Sequence, residues 1–138
     1  MTVLLIIGAV IIIGILCLIA KAINDYTIKH YTYRFFEWKN YYQISIFYIF
    51  IYSGVYLYID ALNTNGDLLN GILLTTIGAI GLIYVFIVHL MNTEPLIAIV
   101  TTLFQFLIYS VLVFVGIFCL LALIGYELRY YGYYNNRY

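Results

Sequence analysis

Charge is what this sequence has least of. Only 9% of its 138 residues are Asp, Glu, Lys or Arg, whereas 66% are hydrophobic, and the mean hydropathy is +1.04. A soluble domain is excluded because so little polar surface would be left to face water. We therefore expect an integral membrane protein.

Residues that carry catalysis, redox chemistry or metal binding are also few. The two cysteines, Cys17 and Cys119, fall inside apolar runs, where they are expected to pack rather than to form a disulfide. The two histidines, His30 and His89, have no pair of thiols or carboxylates at ligand spacing, so we predict no metal and no cofactor bound by this chain. Phosphate-binding glycine loops and nucleophile motifs are missing too. We do not expect the chain to be catalytic alone.

What the sequence does have is four long apolar runs. A helix needs about 20 residues to cross a hydrocarbon layer of about 30 Å. The predicted spans are residues 3–20, 42–60, 68–91 and 96–124. Each must be helical because lipid offers no partner for an unpaired backbone amide. The predicted fold class is therefore all-α, an integral membrane protein with four transmembrane helices and short connections, forming a single membrane domain over residues 1–138.

The connections differ in character. Between the second and third runs, Asn65-Gly66 is a turn dipeptide. Between the third and fourth runs, Pro95 suits the first turn of a helix. This last connection is short, so the third and fourth helices should be antiparallel neighbours. Residues 21–41 interleave aromatic and basic side chains, which is typical of a segment at the lipid headgroups. The same mixture occurs in nucleic-acid binding, but the formal net charge of zero and the flanking spans favour the membrane interface. The expected partners are lipid and other hydrophobic subunits, not nucleic acid.

Basic residues predict the orientation. Lys21, Lys29, Arg34 and Lys39 lie in the first connection, against Arg129 and Arg137 in the tail. The positive-inside rule places that connection on the cytoplasmic or matrix side and both termini on the periplasmic or intermembrane side. The first apolar run has no basic segment before it and no cleavage site after it, which predicts an uncleaved helix. The expected location is the mitochondrial inner membrane or a bacterial plasma membrane.

The third apolar run resembles one particular membrane helix. It is similar to the third transmembrane segment of subunit 6 of the proton-pumping NADH:quinone oxidoreductase, respiratory complex I, called chain J in bacteria. The matching residues are Gly78, Ala79, Ile80, Phe86 and Asn92, with Tyr84 where an aromatic residue is expected. Thr76 replaces the usual tyrosine of the family, and His89 replaces an apolar residue.

The second run extends this resemblance. Lys39-Asn40 followed by Ser45 is similar to the basic-Asn-Pro-x-x-Ser opening of the family's second helix, although Tyr41 replaces the proline and the serine comes one residue late. Asp67 lies near the position of the family's acidic residue before the third helix. The resemblance covers residues 39–92, and the chain has room for four helices where the family usually has five.

The resemblance implies a non-catalytic membrane-arm subunit that contributes a coupling helix to proton translocation. FMN, iron–sulfur clusters and quinone would then be bound by other subunits of the complex. In this family the third helix switches between a π-bulge and a regular helix, so a departure from α geometry is expected within residues 75–81. The residues implied for the coupling helix and its hinge are Thr76, Gly78, Gly81, Tyr84 and Phe86. Candidates for a proton path or a polar interface are Asp60, Asp67 and His89.

Small and polar residues recur at helical spacing on the second, third and fourth runs. On the third run they include Gly71, Thr75 and Gly78, and on the fourth Thr102, Gln105 and Tyr109. This spacing fits close helix packing with interhelical hydrogen bonds, and it also fits a hydrated path. Two other functions therefore stay open: a small homo-oligomeric membrane channel or effector, and an accessory subunit of another respiratory or transport complex.

Overall fold

The protein consists of four helices. The structure, a computed structural model, describes the backbone of residues 2–135 and the side chains of residues 7–8 and 11–126. The helices are α1 (Thr2–Tyr31), α2 (Trp38–Thr64), α3 (Leu69–Asn92) and α4 (Pro95–Asn135). Each is long and apolar enough to cross a membrane, and no strand occurs within the described residues. The predicted fold class, an all-α multi-pass membrane protein with four spans, is confirmed.

Helix α1 is longer than predicted. The helix continues to Tyr31 and α2 begins at Trp38, so the connection is residues 32–37 rather than 21–41. The reason is that the last part of α1 contains no proline or glycine that would stop a helix. Thr32 ends it by taking a left-handed φ of 57°. The tail contains the two basic residues Arg129 and Arg137, which entered the prediction of orientation. Arg137 lies outside the described residues, and no side chain is described for Arg129.

The other two connections follow the sequence pattern. Asn65 ends α2 with a φ of 53°, and its N–H donates to the carbonyl of Ala61; asparagine tolerates this left-handed conformation better than most residues. The carboxylate of Asp67 then accepts a hydrogen bond of 2.9 Å from the Leu69 N–H at the start of α3. Pro95 is the first residue of α4, where its missing N–H costs nothing. The short connection between α3 and α4 makes them antiparallel neighbours, as predicted.

Helices α2 and α3 form the most extensive contact in the molecule. Glycines make it possible: a Cβ added at Gly71 would lie 2.7 Å from the Tyr58 backbone nitrogen, and one added at Gly78 would lie 2.6 Å from the Phe47 carbonyl oxygen. Gly54 approaches the backbone of Thr75 in the same way. Close backbone approach at small residues is the usual basis of helix association in lipid.

Tyrosines of α2 attach α4 to this pair. The Tyr48 hydroxyl donates to the Phe106 carbonyl at 3.0 Å, and the Tyr52 hydroxyl donates to the Ser110 carbonyl at 3.1 Å. By contrast, α1 contributes little to the packing between helices. Two hydrogen bonds fix α1 to the residues that follow it: the Asn24 amide donates to the Phe36 carbonyl at 2.8 Å and accepts from the Phe36 N–H at 3.0 Å.

Candidate functional site

Buried polar groups lie at one end of the bundle, where the connection between α1 and α2 (residues 32–37) meets the end of α3 and the start of α4. From here on this segment is called the connection. Phe35 lies at their centre with its side chain fully buried. Its carbonyl accepts a hydrogen bond of 2.9 Å from the Asn40 amide of α2 and one of 2.6 Å from the Gln105 amide of α4. We call Phe35, His89, Thr102 and Gln105 the polar cluster.

His89 is the titratable residue of the polar cluster and is only 1% exposed. Its Nδ1 lies 2.8 Å from the Thr102 hydroxyl oxygen. The ring packs edge-on against Phe35, at a centroid distance of 4.6 Å, and against Tyr33, at 5.6 Å. Both His89 and Thr102 are sealed from solvent, so their hydrogen bond fixes the orientation of the ring rather than activating a nucleophile for a substrate.

Two buried atoms of the polar cluster have unused hydrogen-bonding capacity. Among the described residues, neither Nε2 of His89 nor Oε1 of Gln105 has a partner. An unsatisfied buried polar atom costs about 1–3 kcal/mol. Because such atoms are few in folded proteins, a pair of them on neighbouring helices marks this end of the bundle as the place where the chain departs from simple packing.

A pocket of about 380 Å³ opens beside the polar cluster. His89, Val85 and Val88 form its wall on α3, and the connection forms the opposite side. The lining includes two cations and one anion, namely Arg34, Lys39 and Glu37. We call this the interface pocket.

Tyr33 links the interface pocket to the His89 ring. It lies on the connection, outside the spanning segments, and partial burial raises the pKa of its phenol above the usual value. The hydroxyl therefore stays protonated at neutral pH and can donate a hydrogen bond. Together with Arg34 and Lys39 it gives the pocket the chemistry of a binding site for an oxygen-rich or anionic group. No group of three His, Cys, Asp or Glu side chains that could hold a metal ion occurs in the described part of the chain.

The hinge residues implied by the resemblance lie in the helix interface. Gly78 and Gly81 are both buried, and a Cβ at Gly81 would collide with the ring of Phe47. The Thr76 hydroxyl is exposed and donates to the Ile72 carbonyl of its own helix at 2.8 Å. Helix α3 is α-helical throughout, so the expected departure from α geometry within residues 75–81 does not occur in this structure. The glycines serve the contact with α2 instead.

The remaining predicted residues separate into two groups. Tyr84 and His89 both line the interface pocket, and Phe86 is half-buried beside them on α3. Asp60 and Asp67 lie at the opposite end of the bundle and are exposed, where Asp67 caps α3. The candidate proton-path residues are therefore not brought together.

Sequence reasoning found only part of this site. It identified His89, Thr102 and Gln105 as polar residues within apolar runs, but it did not identify the Phe35 carbonyl or the roles of Asn24 and Asn40. Asparagines beside an aromatic run were the available signal, since their amides satisfy backbone groups wherever a chain turns.

Comparison with protein-family models, with curated proteins and with solved structures finds no match to this chain.

Proposed function

We propose that this chain is a non-catalytic helical subunit of a larger membrane assembly. The observation that carries the proposal is the length of the apolar surface on α4. The candidate span Pro95–Tyr126 has 32 residues and would be about 48 Å long, whereas the hydrocarbon layer is about 30 Å thick. Fitting it by tilt alone needs an angle of about 50°, which exceeds the range of about 0–40° of known transmembrane helices.

None of the described side chains covers the part of α4 furthest from the connection between α1 and α2. Leu120, Leu121 and Leu123 are each at least 60% exposed, and a Cβ added at Gly116 or Gly125 would meet no atom within 4 Å. Apolar surface that the described side chains leave uncovered, on a helix longer than the lipid layer is thick, favours contact with another apolar subunit.

For the identity of the assembly we propose the membrane arm of a proton-pumping NADH:quinone oxidoreductase. The support is the resemblance of residues 39–92, which coincide with α2 and α3, the best-packed pair of the chain. Its FMN, iron–sulfur clusters and quinone would be bound by other subunits. A coupling role for α3 would require a second state in which residues 75–81 leave α geometry and the contact of Gly78 with Phe47 opens.

The channel alternative has less support from the geometry. A pore needs polar side chains that face a lumen, but the Tyr48 and Tyr52 hydroxyls bond to carbonyls of α4. The Thr75 hydroxyl likewise bonds to the Gly71 carbonyl of its own helix at 2.8 Å. These polar residues are used for helix packing and local hydrogen bonds.

Purification from native membranes in a mild detergent tests the proposal. We expect a tagged chain to migrate with other hydrophobic subunits, and with flavin and iron–sulfur proteins that oxidise NADH. Migration with apolar subunits that lack flavin would overturn the proposed assembly but keep the subunit role. A symmetric homo-oligomer of this chain alone would overturn both and favour a channel.

We further propose that the connection between α1 and α2 faces the cytoplasm or the mitochondrial matrix, with both termini on the opposite side. The reason is that Arg34 lies in this connection and Lys21, Lys29 and Lys39 lie in the parts of α1 and α2 that flank it. Cysteines introduced at Lys29 or Lys39 should react with an impermeant thiol reagent only from that side. A cysteine at Asn65, in the connection between α2 and α3, should react only from the other side. Labelling of position 29 from the outer face would contradict this orientation.

A further inference from the structure

A second cavity is a groove between α1 and the rest of the protein. Its volume is about 880 Å³, and it is lined by α1, the connection, the start of α2 and the middle of α4. Its other lining residues differ from those of the interface pocket on α3, although Arg34 and Glu37 border both.

Specific hydrogen bonds and aromatic contacts hold the walls of the groove in place. The Asn24 amide bonds to both backbone groups of Phe36 and so fixes α1 to the connection. The Phe36 ring then packs edge-on against Tyr109 of α4 at a centroid distance of 6.0 Å, and Tyr109 packs against Tyr41 of α2 at 5.2 Å. One wall of the groove is therefore a continuous aromatic surface.

The charges on the groove are balanced. Lys21 and Asp25 project from α1, and Arg34 and Glu37 project from the connection; all four line the groove and are exposed. They give the groove two positive and two negative charges.

Further from the connection between α1 and α2 the groove becomes apolar. Helix α1 runs toward the connection and α4 runs away from it, so Cys17 and Leu112 lie further from the connection than the charged residues do. Both line the groove together with the Tyr109 ring. The groove is therefore polar near the connection between α1 and α2 and apolar further from it.

We propose that this groove holds one phospholipid with a zwitterionic headgroup. Lys21 and Arg34 bind its phosphate, Asp25 and Glu37 bind its amine, and the first part of its acyl chains follows Cys17, Tyr109 and Leu112. The equal number of cations and anions selects a zwitterion, because an anionic headgroup such as phosphatidylglycerol has the same phosphate but no amine to pair with the two carboxylates. The proposal is independent of the assembly in which the chain works.

Native mass spectrometry of the purified chain tests this proposal. The chain is equilibrated with equal amounts of phosphatidylethanolamine and phosphatidylglycerol that carry identical acyl chains, and the lipid that remains bound is measured. We expect one molecule of phosphatidylethanolamine to be retained in preference. Preferential retention of phosphatidylglycerol would overturn the proposal, and so would retention of neither lipid.

Charge variants assign the contacts. The double variant Asp25→Asn with Glu37→Gln should lower the preference for phosphatidylethanolamine about tenfold, since each hydrogen bond to a charged group contributes to the difference. The control Asp60→Asn removes an exposed carboxylate at the other end of the bundle and should leave the preference unchanged. Equal effects of the two changes would contradict the assignment of the amine site.

A substitution that fills the groove with a large side chain tests the proposal without changing any charge. Ala20 lines the groove, so Ala20→Trp should displace the lipid and abolish its retention. The matched control is Ala79→Trp, on an exposed position of α3, which should keep the lipid. Retention by the Ala20→Trp variant at the wild-type level would overturn the proposal even if the charge variants failed to fold.

Discussion

The α2–α3 pair and the distal part of α4, residues 116–126, differ in how closely their backbones approach other parts of the chain. Between α2 and α3 the backbones approach until no side chain fits, as at Gly71 and Gly78. On the distal part of α4, a Cβ added at Gly116 or Gly125 would have no neighbouring atom within 4 Å. The same residue type thus serves a contact in one place and faces empty surroundings in the other.

This difference separates what the chain can do for itself from what it needs from its surroundings. Hydropathy is high enough for a membrane span in both regions. Only the α2–α3 pair, however, uses its small residues for packing, which in lipid is what holds helices together. The distal part of α4 therefore depends on lipid or on another protein for its contacts.

Replacing a glycine with a larger residue should produce the largest difference in stability between the two regions. In Gly78→Val the new side chain would meet the Phe47 carbonyl, a backbone atom that cannot move without shifting α2. We expect a loss of about 3 kcal/mol of unfolding free energy, the upper part of the usual range for overpacking. Reversible unfolding in mixed micelles measures it.

The matched control is Gly116→Val, which introduces the same side chain where no atom lies within 4 Å. It should leave the stability of the isolated chain unchanged. A loss at Gly116 as large as that at Gly78 would mean that the two regions do not differ in packing.

The attachment of α1 should show an intermediate effect. Asn24→Ala removes both hydrogen bonds to Phe36, at an expected cost of about 1–2 kcal/mol. Hydrogen exchange should then increase in residues 32–37 and remain unchanged in α2 and α3. The control Asn63→Ala, at an exposed position of α2, should change neither. Faster exchange throughout α3 in the Asn24 variant would show that α1 supports the pair more than its contacts indicate.

The smallest effect is expected at the tyrosines that join α2 to α4. Tyr52→Phe removes the hydroxyl that bonds to Ser110, and interhelical hydrogen bonds in membranes contribute about 0.6 kcal/mol on average. Tyr56→Phe is the control, because Tyr56 is 70% exposed. The two variants are compared by the same unfolding titration, and equal stabilities would show that this hydrogen bond does not hold α4.

The sequence predicted the four helices because the thickness of the hydrocarbon layer limits the length of every apolar run. It also placed the turn before α4, since Pro95 can begin a helix but cannot continue one. The predicted end of α1 was wrong because polar and charged residues after Ala20 end the apolar run without ending the helix. The helical state of these residues depends on local propensity and on the bonds of Asn24.

The site was harder to predict than the fold. Gly78 and Gly81 have the same sequence pattern whether they serve a hinge or a close contact, and only the position of Phe47 distinguishes the two. The polar cluster depends on the Phe35 carbonyl, a backbone atom that no side-chain pattern specifies. His89 was identifiable as an exception in an apolar run, but its partner Thr102 became evident only when α3 and α4 were placed side by side.

Photo-cross-linking in native membranes tests the central claim, that the distal part of α4 is covered by another protein. A photoreactive amino acid is introduced at Leu121, which is 60% exposed, and for comparison at Phe47, within the α2–α3 contact. We predict that position 121 cross-links to a different polypeptide, whereas position 47 cross-links only within the chain. Adducts with lipid alone at position 121 would contradict the account.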